Sequence, residues 1–424
     1  MDTVTALQLQ EPHPRRIVIV GSGYAGMTCA VTLAHRAKPA DDIEIVMIAP
    51  LPYQESLSEL DLVAAGTPRP QWAELWHGDI FRGLPIKVCY ERLENVCADE
   101  LSVAVGPAGA ALASIPYWRL VLATGAIPFV PPVPGLAEHS VTMWSVTDAL
   151  HLQQRVERQF KRAVTIADPE ERRRVMSIAV VGAGATGVEV VGTLAFALPG
   201  MIRGAGYDPG MVQLSLVDAR PEILYDLQPR EREKARHRLE QMGVELVLGS
   251  PLERVERGYA VLASGRELPA ETLVWCGGAK ADPDAVDWGL AVDTSGRVVI
   301  DTDLKAQDHD AIYAVGDVSA LRDPETNRVL PMLAQFAIRE AAHAAQNILR
   351  ELRGQATKSF EPHQHGEFVS VGPRWGVGWM FRVPVSGWFA IFMKRLTYVI
   401  YWLEVGTIRL AWRRTTQMMR MHRY

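Results

Sequence analysis

An α/β chain of two doubly wound, parallel-sheet units closed by an amphipathic helical tail is what the sequence predicts, and three observations predict it. First, the apolar, β-branched run Ile17–Val20 leads into Gly21, Gly23 and Gly26, spaced G-x-G-x-x-G, and then into a small-residue helix from Met27 to about His35. Second, the stretch from Ser177 to Glu189 repeats the pattern with Gly182, Gly184 and Gly187 after another apolar strand. Third, from Gly372 the composition changes, with Trp375, Trp379, Trp388, Trp402 and Trp412 in a tail that is also rich in Lys and Arg.

The glycine spacing carries a mechanism. The first glycine allows the tight turn, the second lets the backbone approach a pyrophosphate, and the third lets helix and strand pack closely. Unpaired N–H groups at the helix start then face the phosphates. From Gly21 to Gly182 is 161 residues, far more than one βαβ unit, so the copies mark two Rossmann-like dinucleotide-binding domains. Two dinucleotides in one chain imply a flavoprotein that draws electrons from a pyridine nucleotide.

The remaining elements follow in order. Ile43–Ile48 reads as the second strand of the first unit, and it ends in Ala49-Pro50 where such strands usually end in Asp or Glu. Either Gln54 or Glu55 in the next loop is the expected substitute for that ribose contact, or the flavin is held less tightly. Residues 85–115 contain alternating runs suited to an antiparallel excursion. Leu120–Gly125 is a further buried strand ending in Thr124-Gly125, a turn that crosses near the flavin, and the prolines at 128–134 form the connector to the second unit. Ser145 or Thr147 is placed to cap a helix through Phe160. In the second unit the acidic strand end is present as Asp218. It can accept both ribose hydroxyls of NADH and repel a 2′-phosphate, whereas Arg220, two residues on, could meet that phosphate instead. A helix at 230–242, a strand at 245–248 and Thr272–Gly278, including Gly277, close this unit. The chain then returns through Ala311–Asp317, a strand ending in Gly316-Asp317, and a helix at 332–349.

A chain of 424 residues is too long for one core. Residues 1–15 have no apolar run and read as a flexible arm, not a secretory signal. Cys29, Cys89, Cys97 and Cys276 form no close pair, so a flavin-linked dithiol relay is not expected and no metal is called for. Net charge is −5, yet residues 385–424 hold seven Lys and Arg against Glu404 alone. A basic, aromatic tail on an acidic body favours an anionic membrane surface over nucleic acid. No stretch of the tail reaches the roughly 20 uncharged residues of a membrane span, so it is expected to lie in the interface. It is also expected to serve acceptor coupling, not to hold the fold together.

Taken together these motifs resemble the type II (alternative) NADH:quinone dehydrogenases, over roughly residues 16–412. The general superfamily is marked by GSGYAG, by ATG at 123–125 and by YAVGD. The narrower resemblance rests on ELDLVAAG at 59–66, PGLAEH at 134–139, DPEERRR before the second fingerprint, and Ala334-Gln335. It implies FAD and NADH as cofactors and a quinone of the menaquinone or ubiquinone type as acceptor. It further implies that Asp317 holds flavin ribityl or phosphate oxygens and that the helix near Met332 aims its positive end at the flavin. Glu189 would lie between nicotinamide and acceptor. Gln335 would be the quinone-site glutamine, with Arg339 where the family carries a second glutamine, which points to an unusual quinone or another carrier.

The organisation expected is therefore FAD-binding residues 16–140 and 304–365, NAD(P)H-binding residues 141–303 inserted between them, and a membrane-associating region 366–424. The protein is expected at the cytoplasmic face of the cell membrane, with a homodimer left open. Two other readings use the same nucleotides: a reductase of a small carrier such as a ferredoxin, and a slow flavin-bound sensor. A sulfide:quinone reductase is disfavoured because no cysteine follows Cys276.

Overall fold

The computed structural model describes residues 15–66, 70–107, 111–204, 209–282 and 288–421. The N-terminal arm falls outside them. Each fingerprint strand sits inside a parallel sheet, as a run buried on both faces requires. In the first unit the order is Lys305–Ala306, His309–Ala314, Arg119–Leu122, Arg16–Val20, Glu44–Ile48 and Ile86–Cys89, all parallel except the short Lys305–Ala306 edge. In the second it is Ser140–Thr142, Thr272–Trp275, Ser177–Val181, Gln213–Asp218 and Val244–Leu248, parallel throughout.

Two readings of the sequence need correction. Ile86–Cys89 is the parallel edge of the main sheet, and only the three strands Leu93–Cys97, Ser102–Val105 and Ala113–Pro116 form the antiparallel excursion. The return to the first unit also comes before residue 304. Trp288, Leu290 and Val298 are buried with Val18, Leu120 and Ile312, and the Val298 N–H donates to Val318 O, so this segment packs on the first sheet. The crossings between units run side by side as Ala126–Pro128 and Ala279–Ala281, paired antiparallel.

The tail departs furthest from expectation. Gly366–Ser370, Gly376–Met380 and Val383–Gly387 form an antiparallel sheet, followed by helices Trp388–Val405 and Ile408–Met421. The first helix has a 3.6-residue stripe, Ile391, Lys394, Tyr398, Tyr401, Trp402 and Val405, facing the protein. Tyr401, Trp402, Val405, Leu410 and Ala411 complete the first unit's own core. The Tyr401 hydroxyl donates to Gln54 Oε1 at 2.7 Å, and the Trp402 ring meets Trp72 edge-on at 6.1 Å. The tail therefore does hold the fold together.

Its cations are also not arranged as counted. Lys394 is turned inward with its side chain 13% exposed, Arg395 donates to Pro373 O, Arg414 donates to the carbonyls of Trp72 and Glu74, and Arg413 pairs with Asp79. Arg409 is exposed, and the side chains of Arg420 and Arg423 lie outside the described residues. What faces outward is largely apolar, with Glu404 and Arg409 among it. Trp388 and Trp412 are 72% exposed and Ile408 81%, with Phe392, Ile400 and Leu403 about half exposed.

Candidate active site

A continuous cleft of about 1130 Å³ runs between the two fingerprints and is lined by both. The glycines divide their work in the same way in each. A Cβ on Gly21 would sit 2.2 Å from Ala123 O and one on Gly26 1.8 Å from Gly21 O, while Gly23 opens on empty space. In the second copy a Cβ on Gly182 would lie 2.5 Å from Cys276 O and one on Gly187 1.7 Å from Gly182 O, and Gly184 is again open. The first and third glycines are fixed by packing, and the middle one leaves room for a ligand's phosphates. Gly277 serves packing too: a Cβ there would meet the Trp275 indole at 2.2 Å.

Thr124, Gly125, Gly316, Asp317 and Ala334 line the first half of the cleft, as expected. Thr124 Oγ1 is buried without a partner, a donor and acceptor waiting for a ligand. Burial holds the Asp317 carboxyl above its usual range, opposed by the nearby Arg297 guanidinium. Beneath it the buried Glu340 accepts from Gly316 N at 2.7 Å and from Ser319 Oγ at 3.1 Å, which fixes the turn. Open glycine cradle, unpaired Thr124 and helix N-terminus at Ala334 together fit a flavin dinucleotide.

In the second half, Asp218 accepts from Ala183 N at 2.6 Å and Arg220 N at 2.8 Å, so its carboxylate is held at the cleft wall beside the fingerprint loop. The Arg220 guanidinium is stacked 3.6 Å over the Tyr225 ring, and both line the cleft. At the corresponding end of the first unit the expected substitutes for Ala49 are committed elsewhere. Gln54 is buried against Tyr401, and Glu55 lines the cleft but accepts from Val146 N at the start of helix Val146–Val164. Ser145 Oγ caps that helix by accepting from Asp148 N.

Where the two halves meet, Glu189 lines the cleft with Asp61. Lys394, from the tail helix, donates to Glu189 Oε1 and to Ser370 Oγ, and Ser370 N donates to the same Glu189 oxygen at 2.9 Å. One helical turn beyond Glu189, Thr193 Oγ1 donates to Asp61 Oδ2 at 2.6 Å. Burial and then the Glu189 carboxylate raise the Asp61 carboxyl to about 6, with Lys394 opposing. Burial works against the Lys394 ammonium, but Glu189, Tyr398 and Asp61 outweigh it, so the lysine stays charged. Two carboxyl groups and one ammonium thus share the junction.

Gln335 and Arg339 do not join them. Their helix, Ala334–Leu352, reaches the cleft through Ala334 and Ala337. Arg339 instead donates to the carbonyls of His363 and Glu361 and lies 5.6 Å over Phe360, so that helix face is covered by the following chain segment. Neither Arg339 nor Gln335 lines the cleft, and Gln335 Oε1 is buried without a hydrogen-bond partner. The sequence reading missed Lys394 and Asp61. The signal for Lys394 was there, a single cation on the inward stripe of an aromatic helix.

All four cysteines are free thiols, and burial pushes Cys29 and Cys276 up to about 12. Two dinucleotide cradles opening on one cleft define a two-nucleotide oxidoreductase. Residues 15–341 match the pyridine nucleotide-disulphide oxidoreductase family, and the chain belongs to it. It is similar to the type II NADH:quinone oxidoreductase of Staphylococcus aureus, 28% identical over 403 residues that cover 94% of this chain and 98% of the relative. Among solved structures it is similar in fold to NDH2 from Plasmodium falciparum in complex with NADH, with a TM-score of 0.85 at 14% identity, covering 97% of this chain and 99% of that one. The sulfide:quinone oxidoreductase of Aquifex aeolicus superposes with a TM-score of 0.75 at 16% identity, covering 93% and 92%.

Proposed function

We propose that the protein is an FAD-dependent NADH:quinone oxidoreductase of the type II kind, attached peripherally to the cytoplasmic face of the membrane. The observation that carries this reading is the junction of Glu189, Asp61 and Lys394. It lies where the two nucleotide cradles meet and is built in part by a helix whose other face is apolar and exposed. FAD, when bound, supplies a two-electron carrier between NADH and the quinone.

The chain's own residues supply position and protons. Gly21, Gly23, Gly26, Thr124, Gly316 and Asp317 would hold the flavin dinucleotide. Gly182, Gly184, Gly187 and Asp218 would hold NADH, with Asp218 taking the ribose hydroxyls. Reduction of a quinone by NADH consumes one proton from solution, and a carboxyl group titrating near neutrality is suited to hold it. Asp61 is placed for that task at the junction, and Lys394, paired with Glu189, offsets the negative charge around it. Trp388, Phe392, Ile400, Leu403, Ile408 and Trp412 form the membrane-facing side, so lipid contact rests on apolar burial more than on the basic residues.

The test is anaerobic. After the bound flavin is reduced with NADH, a menaquinone analogue is expected to reoxidise it quickly and a ferredoxin is not; the reverse order would refute the assignment.

A further inference from the structure

A second cleft, of about 280 Å³, opens on the opposite edge of the NADH-binding sheet. It begins at Thr272, the first residue of a strand whose other end, Trp275, reaches the dinucleotide cleft. Helix Val146–Val164 presents Arg155, Arg158 and Arg162 to it at i, i+3 and i+7, one helical face, and Arg257 faces them from the turn between Leu252–Glu256 and Gly258–Leu262. The two carboxylates that line the cleft are already engaged. Glu271 takes Arg162 at 2.7 Å and Arg174 at 3.2 Å, one on each oxygen, and Glu256 takes Arg254 at 2.7 Å. A Cβ at Gly258 would lie 2.6 Å from Arg174 Nη1, so glycine there lets the Arg174–Glu271 pair sit beneath the turn as a floor.

Three guanidinium groups are left without a carboxylate among the described residues. Arg155 donates to Glu271 O, Arg158 to Gln154 O, and Arg257 to no group among the described residues. Burial works most against the charge on Arg155, the Glu271 carboxylate opposes it, and the neighbouring Arg158 adds to the burial effect. That arrangement costs free energy in the empty protein and is relieved by an anion. The planar guanidinium fork matches oxyanions bidentately. No Phe, Tyr or Trp lines the cleft among the described residues, so nothing there would stack on a base.

We propose that this cleft is a binding site for a compact polyphosphate, either inorganic or the phosphate chain of a nucleotide whose base stays outside. The site is independent of the flavin and quinone assignment. Its test is calorimetric titration of the full chain, loaded with FAD and saturated with NAD so that the dinucleotide cleft is filled, using pyrophosphate, tripolyphosphate and ATP as probes. One site is expected, with ATP and tripolyphosphate binding alike. The double variant Arg158→Gln/Arg257→Gln changes two exposed side chains and should keep the wild-type melting temperature. It should weaken binding by about tenfold or more. As a second variant, Arg158→Glu alone should weaken binding further than Arg158→Gln. Absence of binding at millimolar probe, or equal affinity in the double variant, overturns the site. ATP binding about tenfold tighter than tripolyphosphate overturns the assignment to phosphate alone.

Discussion

The two dinucleotide folds of this chain are close copies that differ at one carboxylate. In each, the first fingerprint glycine donates to a carbonyl at the end of the second strand, Gly21 N to Ile48 O and Gly182 N to Val217 O, both at 2.8 Å. The next residue is Ala49 in one and Asp218 in the other. Asp218 ties down the fingerprint loop and presents a charge to the cleft. Ala49 is wholly buried, with its N–H donated to Cys89 O, and the loop after it is fastened by the tail through Tyr401 to Gln54 and Tyr398 to Ser58 O. The difference teaches a division of labour. On the proposed function, the fold that reads and releases a nucleotide each turnover keeps a carboxylate at its strand end, and the fold that keeps its cofactor is closed by protein.

Removing the tail should therefore break the first fold and not the second. A chain ending at Ser386 loses buried Tyr401, Trp402 and Val405, each worth about 1.5–3 kcal/mol of burial. It also leaves Glu189 without Lys394. Flavin content and thermal melting should show loss of FAD and of the cooperative transition; retained flavin would mean the tail is dispensable. Lys394→Met alone should cost about 3–5 kcal/mol in denaturant unfolding, because it strands a buried carboxylate. A loss below about 1 kcal/mol would mean that solvent reaches Glu189.

Exchanging the strand-end residues sharpens the comparison. Asp218→Ala should raise KM for NADH by about 10- to 100-fold, from loss of hydrogen bonds to a charged group worth about 1.5–3 kcal/mol, while NADPH suffers less. Equal loss for both nucleotides would place the selectivity at Arg220. Asp61 offers a pH signature. Its carboxyl is raised from 3.8 to about 6 in the folded protein, so the stability it contributes when protonated is present below about pH 4 and lost as pH rises through 6. The unfolding midpoint of Asp61→Asn should gain on wild type across that window, and a constant difference would contradict the assignment. Ala49→Asp should have the smallest effect. A restored acceptor tightens FAD and full burial opposes it, so titration of apoprotein should show a gain of less than about tenfold.

Much of this was legible in the sequence because glycine spacing and strand hydrophobicity are local signals. They marked both cradles and the acidic residues Asp317 and Asp218 that follow their strands, whereas Glu189 came from the family resemblance alone. The junction was half legible, since Asp61 and Lys394 are 333 positions apart in the chain and are joined to Glu189 only by tertiary packing. The tail misled through composition. Counting its cations could not show that Lys394, Arg395 and Arg414 turn inward while Trp388 and Trp412 turn out. Arg339 misled in the same way, because a helix face is read as open until the segment covering it is seen.

The role proposed for the junction is tested most directly by measuring the two half-reactions separately in anaerobic stopped flow. The variant is Glu189→Gln/Lys394→Met, which removes both charges and leaves neither unpaired. Reduction of the bound flavin by NADH should stay within about twofold of wild type, and reoxidation by a menaquinone analogue should slow by about tenfold or more. Equal slowing of both steps, or none in either, would contradict the account.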